Sequence, residues 1–559
     1  MVKLHYSYVV KTTLYEVEYM KRNGMCPACY LKMLLTPGKR TAKLDLGEKY
    51  DNGVALTPPM GWASWNTFKN TIDEDLILET GQAMVEKGLL DVGYKFINID
   101  DNWHSSMRDE NGNLQGDLVK FKSGIPYLVN KLNDLGLKVG IYSSNGTLTC
   151  ENLPASLHNE EKDALNIARW GIEYFKYDFC HNERYSKYAP LVYALELVPL
   201  GEKEGRVINC KNAKLEGLAK FMPHKKVPGG YYISGLDKAR GIATFDNIYI
   251  DDEGEYVLTL CIKKKGWYNK LMVVKVNGVN YIYELPHQKF FNTTARFQQI
   301  VYLKKGMNTI ELSNPVTCRA DSAALQYYKM GQALKKATAR VAKENGEEEK
   351  PITFSICEWG LNKPYKWGAK AGNLWRTTPD ITPNWKWINM LYRHTAKLHE
   401  YSSIGAWNDP DMLEVGNGKL TYEQNKSHFS LWCMLNAPLI LGNDLRSIRD
   451  DVLEIVTNKK MIAINQDPLG KQAKLVKKGA VDVLAKPLSD NRTAICLFNR
   501  KKGKHQITVD LTRLVDDKYV QMCHKNSYTL TEQWTGETVE TNGSFKTLVD
   551  GYSVKVYIL

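Results

Sequence analysis

Two charged residues stand two positions apart in the short, mostly apolar stretch Phe175-Lys176-Tyr177-Asp178. Residues two apart in a β-strand point to the same face, so a strand here would direct Lys176 and Asp178 into one space. A nearby ammonium group keeps a carboxylate ionised, as a nucleophile requires. Taken alone, the pair is more typical of a salt bridge at a strand end. Its interpretation therefore depends on whether the pattern recurs.

The pattern recurs along the chain, where other apolar strand candidates also end in polar residues. In a parallel α/β barrel the active site lies at the carboxyl ends of the strands, and eleven residues would meet there: Trp65, Asp100, Asp101, Tyr142, Lys176, Asp178, Glu358, Arg376, Asp380, Asp409 and Asp411. Seven of these eleven are carboxylic acids. Neighbouring carboxyl groups cannot all ionise freely, so one can act as an acid while another acts as a base or nucleophile. Glycoside hydrolysis requires such a pair.

Alternating strands and helices would bring these residues to one edge of a sheet. The predicted strands cover residues 60–66, 96–101, 137–142, 175–180, 353–359, 374–380, 406–411 and 439–444. The predicted helices between them cover residues 74–87, 126–135, 160–170 and 322–344. Eight strands in such alternation predict a (β/α)8 barrel of the α/β class.

Two β-rich segments depart from this alternation. The first carries an Asn277-Gly278 hairpin signal and predicts an inserted β-sandwich; the second predicts a C-terminal antiparallel β-sandwich. The expected domains are an N-terminal extension (1–52), the first barrel half (53–188), the inserted sandwich (189–320), the second barrel half (321–472) and the C-terminal sandwich (473–559).

Composition excludes several classes of function. The formal net charge is +13, but the lysines are scattered in short pairs, so we expect no nucleic-acid partner. No run approaches 18 apolar residues, so we expect no membrane span. Residues 1–12 lack the apolar core of a signal peptide, which predicts a cytoplasmic protein whose 11 cysteines are mostly free thiols. The isolated Cys26-Pro27-Ala28-Cys29 is weak support for zinc or redox chemistry, and we expect a structural role.

Two simpler explanations of the acidic residues need weighing. An aspartate after a strand often caps the following helix, which could explain any one of them but hardly all of them at corresponding strand ends. The second is a hydrolytic metal site, but no histidine near a strand end has the His-x-His or His-x-x-x-His spacing of such a site. The sequence therefore predicts no metal and no cofactor.

At these residues the chain resembles the family 27 glycoside hydrolases, the α-galactosidase family of clan D. The resemblance covers about residues 53–185 and 322–559 and is carried by the motifs TPPMGWASWN, FINIDDNW, GLKVGIY, WGIEYFKYDFC, FSICEWG, LWRTTPDI, WNDPDMLEVGN and APLILGNDL. It implies a (β/α)8 barrel with a C-terminal β-sandwich and a retaining mechanism. By the resemblance, Asp178 is the nucleophile and Asp380 the acid/base.

The resemblance also implies the residues that bind the sugar: Trp65, Asp100, Asp101, Tyr142, Lys176, Cys357, Glu358, Trp359, Arg376, Asp411 and Met412. Asp100 and Asp101 would hold the O4 and O6 hydroxyls, while bulk at 357–359 would disfavour a 2-acetamido group. This combination favours a terminal α-D-galactoside over an α-N-acetylgalactosaminide or a β-L-arabinopyranoside, which stay as alternatives. Cys150 and Cys180 match a pair that is disulfide-linked in secreted relatives.

Some residues depart from the family pattern, at the rim and on the leaving-group side: Asn102, Ser143, Ser144, Asn145, Phe179, Leu374 and Pro379. The inserted segment weakly resembles carbohydrate-binding modules of families 6 and 35, which often hold a structural calcium; no ligand set for it is evident in the sequence. A non-catalytic carbohydrate-binding protein is an alternative of another class, and a metal-dependent hydrolase is a third. The joint presence of the two acids with Lys176 and Arg376 favours the enzyme. The sequence leaves the oligomeric state open.

Overall fold

The computed structural model describes residues 42–264, 270–285 and 293–559. The Cys26 to Cys29 motif and most of the expected N-terminal extension lie outside the described residues. Among the described helices, none is both long and apolar enough to cross a membrane.

The first barrel half alternates strands and helices. Its elements are β1 (Met60–Ala63), α1 (Trp65–Phe68), α2 (Glu74–Glu86), β2 (Phe96–Ile99), α3 (Ile125–Asp134), β3 (Lys138–Ser144), α4 (Glu160–Arg169) and β4 (Tyr174–Asp178). Helix α2 begins after Asp73, whose carboxylate accepts a hydrogen bond from the Leu76 backbone N–H. It buries Ile77 and Met84, whose spacing of seven residues places them on one face of the helix. Trp65 was expected in the first strand but lies in α1, because the strand ends at Ala63.

The described residues of the inserted segment form eleven strands: β5 (Leu191–Pro199), β6 (Arg206–Asn209), β7 (Lys214–Gly217), β8 (Lys220–Pro223), β9 (Tyr231–Ser234), β10 (Gly241–Ile250), β11 (Gly254–Lys264), β12 (Lys270–Val276), β13 (Val279–Leu285), β14 (Thr293–Leu303) and β15 (Gly306–Ser313). One sheet has the order β13-β12-β15-β10-β7, and the other has the order β14-β11-β5-β9-β8 with β6 beside β5. Their inner faces share an apolar core that includes Leu195, Phe245, Leu260 and Met272. The two sheets make a β-sandwich.

The second barrel half completes the parallel sheet. Its elements are α5 (Arg319–Asn345), β16 (Thr353–Ile356), β17 (Leu374–Arg376), α6 (Trp385–Thr395), β18 (Trp407–Asp409), α7 (Tyr422–Met434), β19 (Leu439–Leu441), α8 (Asp450–Val456) and α9 (Lys459–Asn465). The sheet order is β18-β17-β16-β4-β3-β2-β1-β19. Strand β16 pairs directly with β4 in parallel register, so the insertion does not interrupt the sheet.

The two outer strands of this sheet, β18 and β19, meet through the chain that follows β18. Leu413 forms a parallel bridge with Leu441; its N–H donates to the Ile440 carbonyl at 2.7 Å, and its own carbonyl accepts from the Gly442 N–H at 3.0 Å. This segment, which we call the seam, covers residues 410–414. The eight parallel strands and the two β-sandwiches confirm the predicted fold class.

The C-terminal domain is antiparallel. Its elements are β20 (Lys474–Lys477), β21 (Val481–Pro487), β22 (Thr493–Asn499), β23 (His505–Asp510), α10 (Thr512–Val515), β24 (Tyr528–Glu532), β25 (Thr538–Thr541), β26 (Ser544–Val549) and β27 (Val554–Ile558). Six strands form one sheet in the order β20-β21-β22-β27-β24-β25, and β23 pairs with β26. Ile495, Leu497, Leu530 and Phe545 lie in the core of this domain.

Candidate active site

The carboxyl ends of the barrel strands surround a cavity of about 390 Å³, a volume that includes space open to solvent. Twelve residues line it: Trp65, Asn66, Asp100, Asp101, Tyr142, Cys150, Lys176, Asp178, Arg376, Asp380, Asp411 and Met412. A deeper cavity of about 490 Å³ shares six of these residues and adds Cys357 and Asp409. Most of the residues singled out in the sequence therefore meet in one place.

Asp178 is the last residue of β4 and is almost fully buried, with 6 % of its surface exposed. Its Oδ1 accepts a hydrogen bond from the Phe179 N–H at 2.8 Å, and its Oδ2 accepts one from the Tyr142 hydroxyl at 3.0 Å. Burial raises the pKa of Asp178 to about 6, against the lowering effect of Lys176. Above that pH the group is a desolvated carboxylate held by two donors, a form suited to nucleophilic attack.

Asp380 lies in the turn after β17 and opens into the same cavity. In contrast to Asp178, its side chain is 39 % exposed. Its Oδ1 accepts a hydrogen bond from Arg376 Nη2 at 3.0 Å, and the Trp387 indole N–H donates to its backbone carbonyl at 2.7 Å. One acid is thus enclosed and the other faces the more open part of the cavity, where a proton can be exchanged with a departing group.

The guanidinium group of Arg376 connects two acids of the cavity. Its Nη2 lies 2.9 Å from Asp411 Oδ2 as well as within hydrogen-bond distance of Asp380. Asp411 also accepts a hydrogen bond from the Ile381 N–H at 2.6 Å. These contacts hold the turn that carries Asp380 next to the seam. The planar guanidinium group of Arg376 fixes the positions of both carboxylates by hydrogen bonding to each of them.

The floor of the cavity is formed by Lys176 of β4 and by Asp100 and Asp101, which directly follow β2. The Lys176 ammonium group lies 2.7 Å from Asp100 Oδ2 and 5.4 Å from the centre of the Tyr142 ring. Asp101 accepts hydrogen bonds from the Asn102 N–H at 2.8 Å and the Glu151 N–H at 3.1 Å. Burial raises the pKa of Asp101 to about 7. These fixed donors and acceptors can bind the hydroxyl groups of a sugar.

Two of the residues expected to contact the sugar have other contacts. Both carboxylate oxygens of Glu358 accept hydrogen bonds from the Asn362 backbone and side chain, at 2.8 to 3.0 Å. Trp359 is 3 % exposed and packs edge-on against Phe179, with ring centres 6.3 Å apart. Neither belongs to the described residues that line the two cavities. Cys357 does line the deeper one, with its sulfur 3.5 Å from Arg376 Nη1.

Cys150 and Cys180 form a disulfide in the structure. The bond joins the loop after β3 to the residues after β4, and the Cys150 sulfur lies 3.6 Å from Asp178 Oδ2. In the described part of the chain, these two cysteines and Asp178 are the one grouping with the proximity of a metal site. Sulfurs bonded to each other are not thiolate ligands, so the grouping is better described as a crosslink beside Asp178.

Two contributors were missed in the sequence. Asn66 lines the cavity next to Trp65, and its place in the GWASWN motif was the available signal. His104 lies behind Asp101, with Nδ1 3.8 Å from Asp101 Oδ1, and stacks on Trp103 at 3.9 Å between ring centres. Burial lowers the pKa of His104 to about 3, so its imidazole is neutral. Nothing in the sequence pattern distinguished it from an ordinary buried histidine.

Comparisons with known proteins agree with this geometry. Residues 57–209 and 316–467 match the family model described as alpha galactosidase A, and residues 478–559 match the alpha galactosidase C-terminal beta sandwich domain. The chain is similar to alpha-galactosidase 2 of Arabidopsis thaliana, with 33 % identity over 82 % of this chain and 79 % of the relative. It is also similar to an alpha-galactosidase of Cyamopsis tetragonoloba, with 30 % identity over 91 % and 87 % of the two chains. The crystal structure of alpha-galactosidase I from Mortierella vinacea shares the fold, with a TM-score of 0.61, 24 % identity and coverage of 91 % and 98 %.

Proposed function

The chain belongs to the alpha galactosidase A family of glycoside hydrolases, and we propose that it removes terminal α-linked D-galactose from oligosaccharides or glycoconjugates. The observation that carries the proposal is the shared cavity of Asp178, at the end of β4, and Asp380, in the turn after β17. The two acids differ strongly in their exposure to solvent. A retaining glycosidase needs a carboxylate nucleophile and a separate proton donor on either side of the scissile bond.

In the proposed reaction, Asp178 attacks the anomeric carbon while Asp380 protonates the departing glycosidic oxygen. A covalent glycosyl–Asp178 ester forms as the C–O bond to the leaving group breaks. Asp380, now ionised, removes a proton from water, which attacks the anomeric carbon and releases galactose and free Asp178. The Tyr142 hydroxyl and the Phe179 N–H support this cycle, because they stabilise Asp178 as a carboxylate before attack and as a leaving group afterwards.

The substrate proposal rests on the cavity floor. Asp100, Asp101 and Lys176 offer acceptors and a charged donor that suit the O4 and O6 hydroxyls of galactose. We expect Cys357, which lies next to Arg376, to disfavour a 2-acetamido group. A panel of nitrophenyl glycosides tests this assignment. We expect the α-D-galactoside to have the highest kcat/KM. Faster turnover of the α-N-acetylgalactosaminide or the β-L-arabinopyranoside would refute it.

The roles of the two acids are tested by separate substitutions. Asp178→Gly should lose activity by at least several orders of magnitude, and azide should restore turnover by giving the inverted glycosyl azide. Asp380→Asn should keep activity only towards substrates whose leaving group departs without protonation. Asp467→Asn is a suitable control, since Asp467 is 7 % exposed and bonds to Ser489 in the C-terminal domain.

A non-catalytic carbohydrate-binding protein makes a different prediction. It would bind galactosides with affinity unaffected by Asp178→Gly and would hydrolyse none of them. A metal-dependent hydrolase would lose activity in EDTA, whereas the proposed mechanism is insensitive to chelation. Metal analysis of the purified protein can check whether the inserted sandwich holds a structural calcium, as the modules that it weakly resembles often do.

A further inference from the structure

The seam between β18 and β19 carries an unusual backbone conformation next to the cavity. Asp411 has a φ of +88°, a left-handed conformation that residues other than glycine rarely adopt. The same residue lines the cavity and contacts Arg376. Such a conformation persists only where surrounding contacts hold it, so the neighbours of the seam determine where the Asp411 carboxylate stands.

Helix α7 supplies two of these contacts from one face. The Trp432 indole N–H donates to the Asp411 carbonyl at 2.7 Å. One turn earlier on the same face, His428 Nε2 accepts the Glu414 N–H at 3.0 Å. The two rings pack edge-on with centres 4.1 Å apart. Because burial lowers the pKa of His428 to about 3, its imidazole is neutral and able to accept this hydrogen bond. The helix therefore holds the seam backbone at both ends of residues 411–414.

The third contact comes from the Glu414 side chain, which is 2 % exposed. Its Oε1 accepts a hydrogen bond from Asn66 Nδ2 at 2.8 Å, and its Oε2 accepts one from Asn417 Nδ2 at 2.6 Å. Burial raises the pKa of Glu414 to about 7, while the Asn417 hydrogen bond lowers it and Asp411 raises it. A carboxyl group is costly to bury unless it is hydrogen-bonded, and these two donors satisfy it from separate parts of the chain.

Asn66 connects this buried carboxyl group to helix α1, which follows β1 in the wall next to the seam. It follows Trp65 in helix α1, and both residues line the cavity. Lys69, at the end of α1, lies 5.1 Å from the Trp65 ring centre. Glu414 itself is absent from the described residues that line either cavity. Its carboxyl group can therefore act on a bound sugar only through its neighbours.

We propose that Glu414 is a positioning residue of the active site, which holds Asn66 of helix α1 and Asp411 of the seam at a fixed distance from each other. The inference rests on the glycosidase function proposed above. The hydrogen bond to Asn66 sets the wall that carries Trp65, and the adjoining backbone sets Asp411. Trp65 and Asp411 would contact the sugar in the ground state and in the transition state alike. Loss of their spacing should therefore raise KM more than it lowers kcat.

The test is a comparison of Glu414→Gln with Glu532→Gln. Glu532 is a matched control, because it is also 2 % exposed and accepts hydrogen bonds from the Trp534, Thr535 and Val556 N–H groups in the C-terminal domain. With nitrophenyl α-galactoside, Glu414→Gln should raise KM and the inhibition constant of galactose about tenfold (about 1.4 kcal/mol), with kcat within about threefold of wild type. Glu532→Gln should leave all three unchanged.

A double-mutant cycle separates the proposed route from a general loss of stability. Asn66→Ala removes the same hydrogen bond from the other side, so the effects of Glu414→Gln and Asn66→Ala on KM should be clearly less than additive. If Glu414→Gln does not fold, Asn417→Ala replaces it, because Asn417 donates the other hydrogen bond to the Glu414 side chain and is absent from the described residues that line either cavity. A raised KM with little change in kcat in Asn417→Ala supports the role, and an unchanged KM there overturns it. A folded Glu414→Gln enzyme with wild-type KM, or fully additive effects, would also overturn it while leaving the hydrolase function intact. Wild-type protein that hydrolyses no α-galactoside would overturn both proposals.

Discussion

The hydrogen bond from Tyr142 to Asp178 provides a quantitative test of how the nucleophile is tuned. The phenol donates to Asp178 Oδ2 at 3.0 Å inside a site where burial has already raised the pKa of Asp178 to about 6. A hydrogen bond to a charged group contributes roughly 1.5–3 kcal/mol, and each pKa unit corresponds to about 1.4 kcal/mol. Tyr142→Phe removes a donor that stabilises only the ionised form. It should therefore raise the pKa of Asp178 by ~1 to 2 units.

The expected signature is in the pH dependence of kcat/KM, which reports the ionisation of the free enzyme. On the acidic side of the pH profile, kcat/KM of the wild type should fall with a midpoint at about pH 6, the pKa of Asp178, because protonated Asp178 cannot attack. In Tyr142→Phe this midpoint, which we call the acidic limb, should move to higher pH. At pH 5 the variant should be slower than the wild type by a further factor of roughly 10 to 100 beyond any difference seen at alkaline pH. The assay is initial-rate hydrolysis of nitrophenyl α-galactoside at substrate concentrations far below KM, from pH 4 to 9.

Tyr94→Phe is the matched control for this experiment. Tyr94 is fully buried beside the barrel, and its hydroxyl donates only to the Val456 backbone carbonyl at 2.8 Å among the contacts of the described residues. Its removal should cost about 1 kcal/mol of stability without moving the acidic limb. A Tyr142→Phe enzyme that is uniformly slower at every pH, with its limb still at about 6, would contradict the reasoning.

Three further predictions concern other parts of the structure. Lys176→Met leaves Asp100 without its ammonium partner at 2.7 Å and should lower the free energy of unfolding by roughly 3 kcal/mol, measured in urea; an unchanged midpoint and slope would argue against the pair. Burial lowers the pKa of Lys486 from 10.5 to about 7, so between these two pH values the unfolded state binds one more proton and the free energy of unfolding rises with pH. Lys486→Met should reduce the slope of the free energy of unfolding against pH by about 1.4 kcal/mol per pH unit. An identical slope in the variant would contradict the assignment. A Cβ at Gly146 would lie 1.8 Å from the Cys180 carbonyl oxygen, whereas one at Gly503 would meet open space. Gly146→Ala should therefore displace the backbone after Asp178 and lower kcat/KM by at least roughly tenfold. Gly503→Ala is the control and should have the kcat/KM of the wild type.

The local pattern of the chain was enough to predict the fold class, and the resemblance of its motifs to family 27 glycoside hydrolases predicted the family. Alternation of short apolar strands with helices at 3.6-residue spacing predicts a parallel barrel because both periodicities are properties of the local backbone. Acidic residues at corresponding strand ends then predict a cluster at one edge, since parallel strands end on the same side. Asp178 and Asp380 could be assigned to one site in this way, before any distance was known.

These sequence patterns did not predict where the strands end or how the turns after them are folded. Strand β17 ends at Arg376 and β18 at Asp409, earlier than predicted, and the side chains that follow point where the turn backbone directs them. Asp411 and Trp359 both have positive φ angles, a backbone conformation that neither periodicity nor composition predicts. Glu358 accepts hydrogen bonds from Asn362 of its own loop, a contact that the strand pattern did not predict, and its contact with the sugar stays a prediction.

The sequence by itself determined which residues come to the barrel edge, because strand alternation and β/α order are encoded within a few neighbouring residues. Only the tertiary structure decided which of them share the cavity and how each is charged. The seam at Leu413, the disulfide beside Asp178 and the bond between Glu414 and Asn66 all join segments far apart in the chain. Burial, which sets the pKa of Asp178, is likewise a property of the assembled fold.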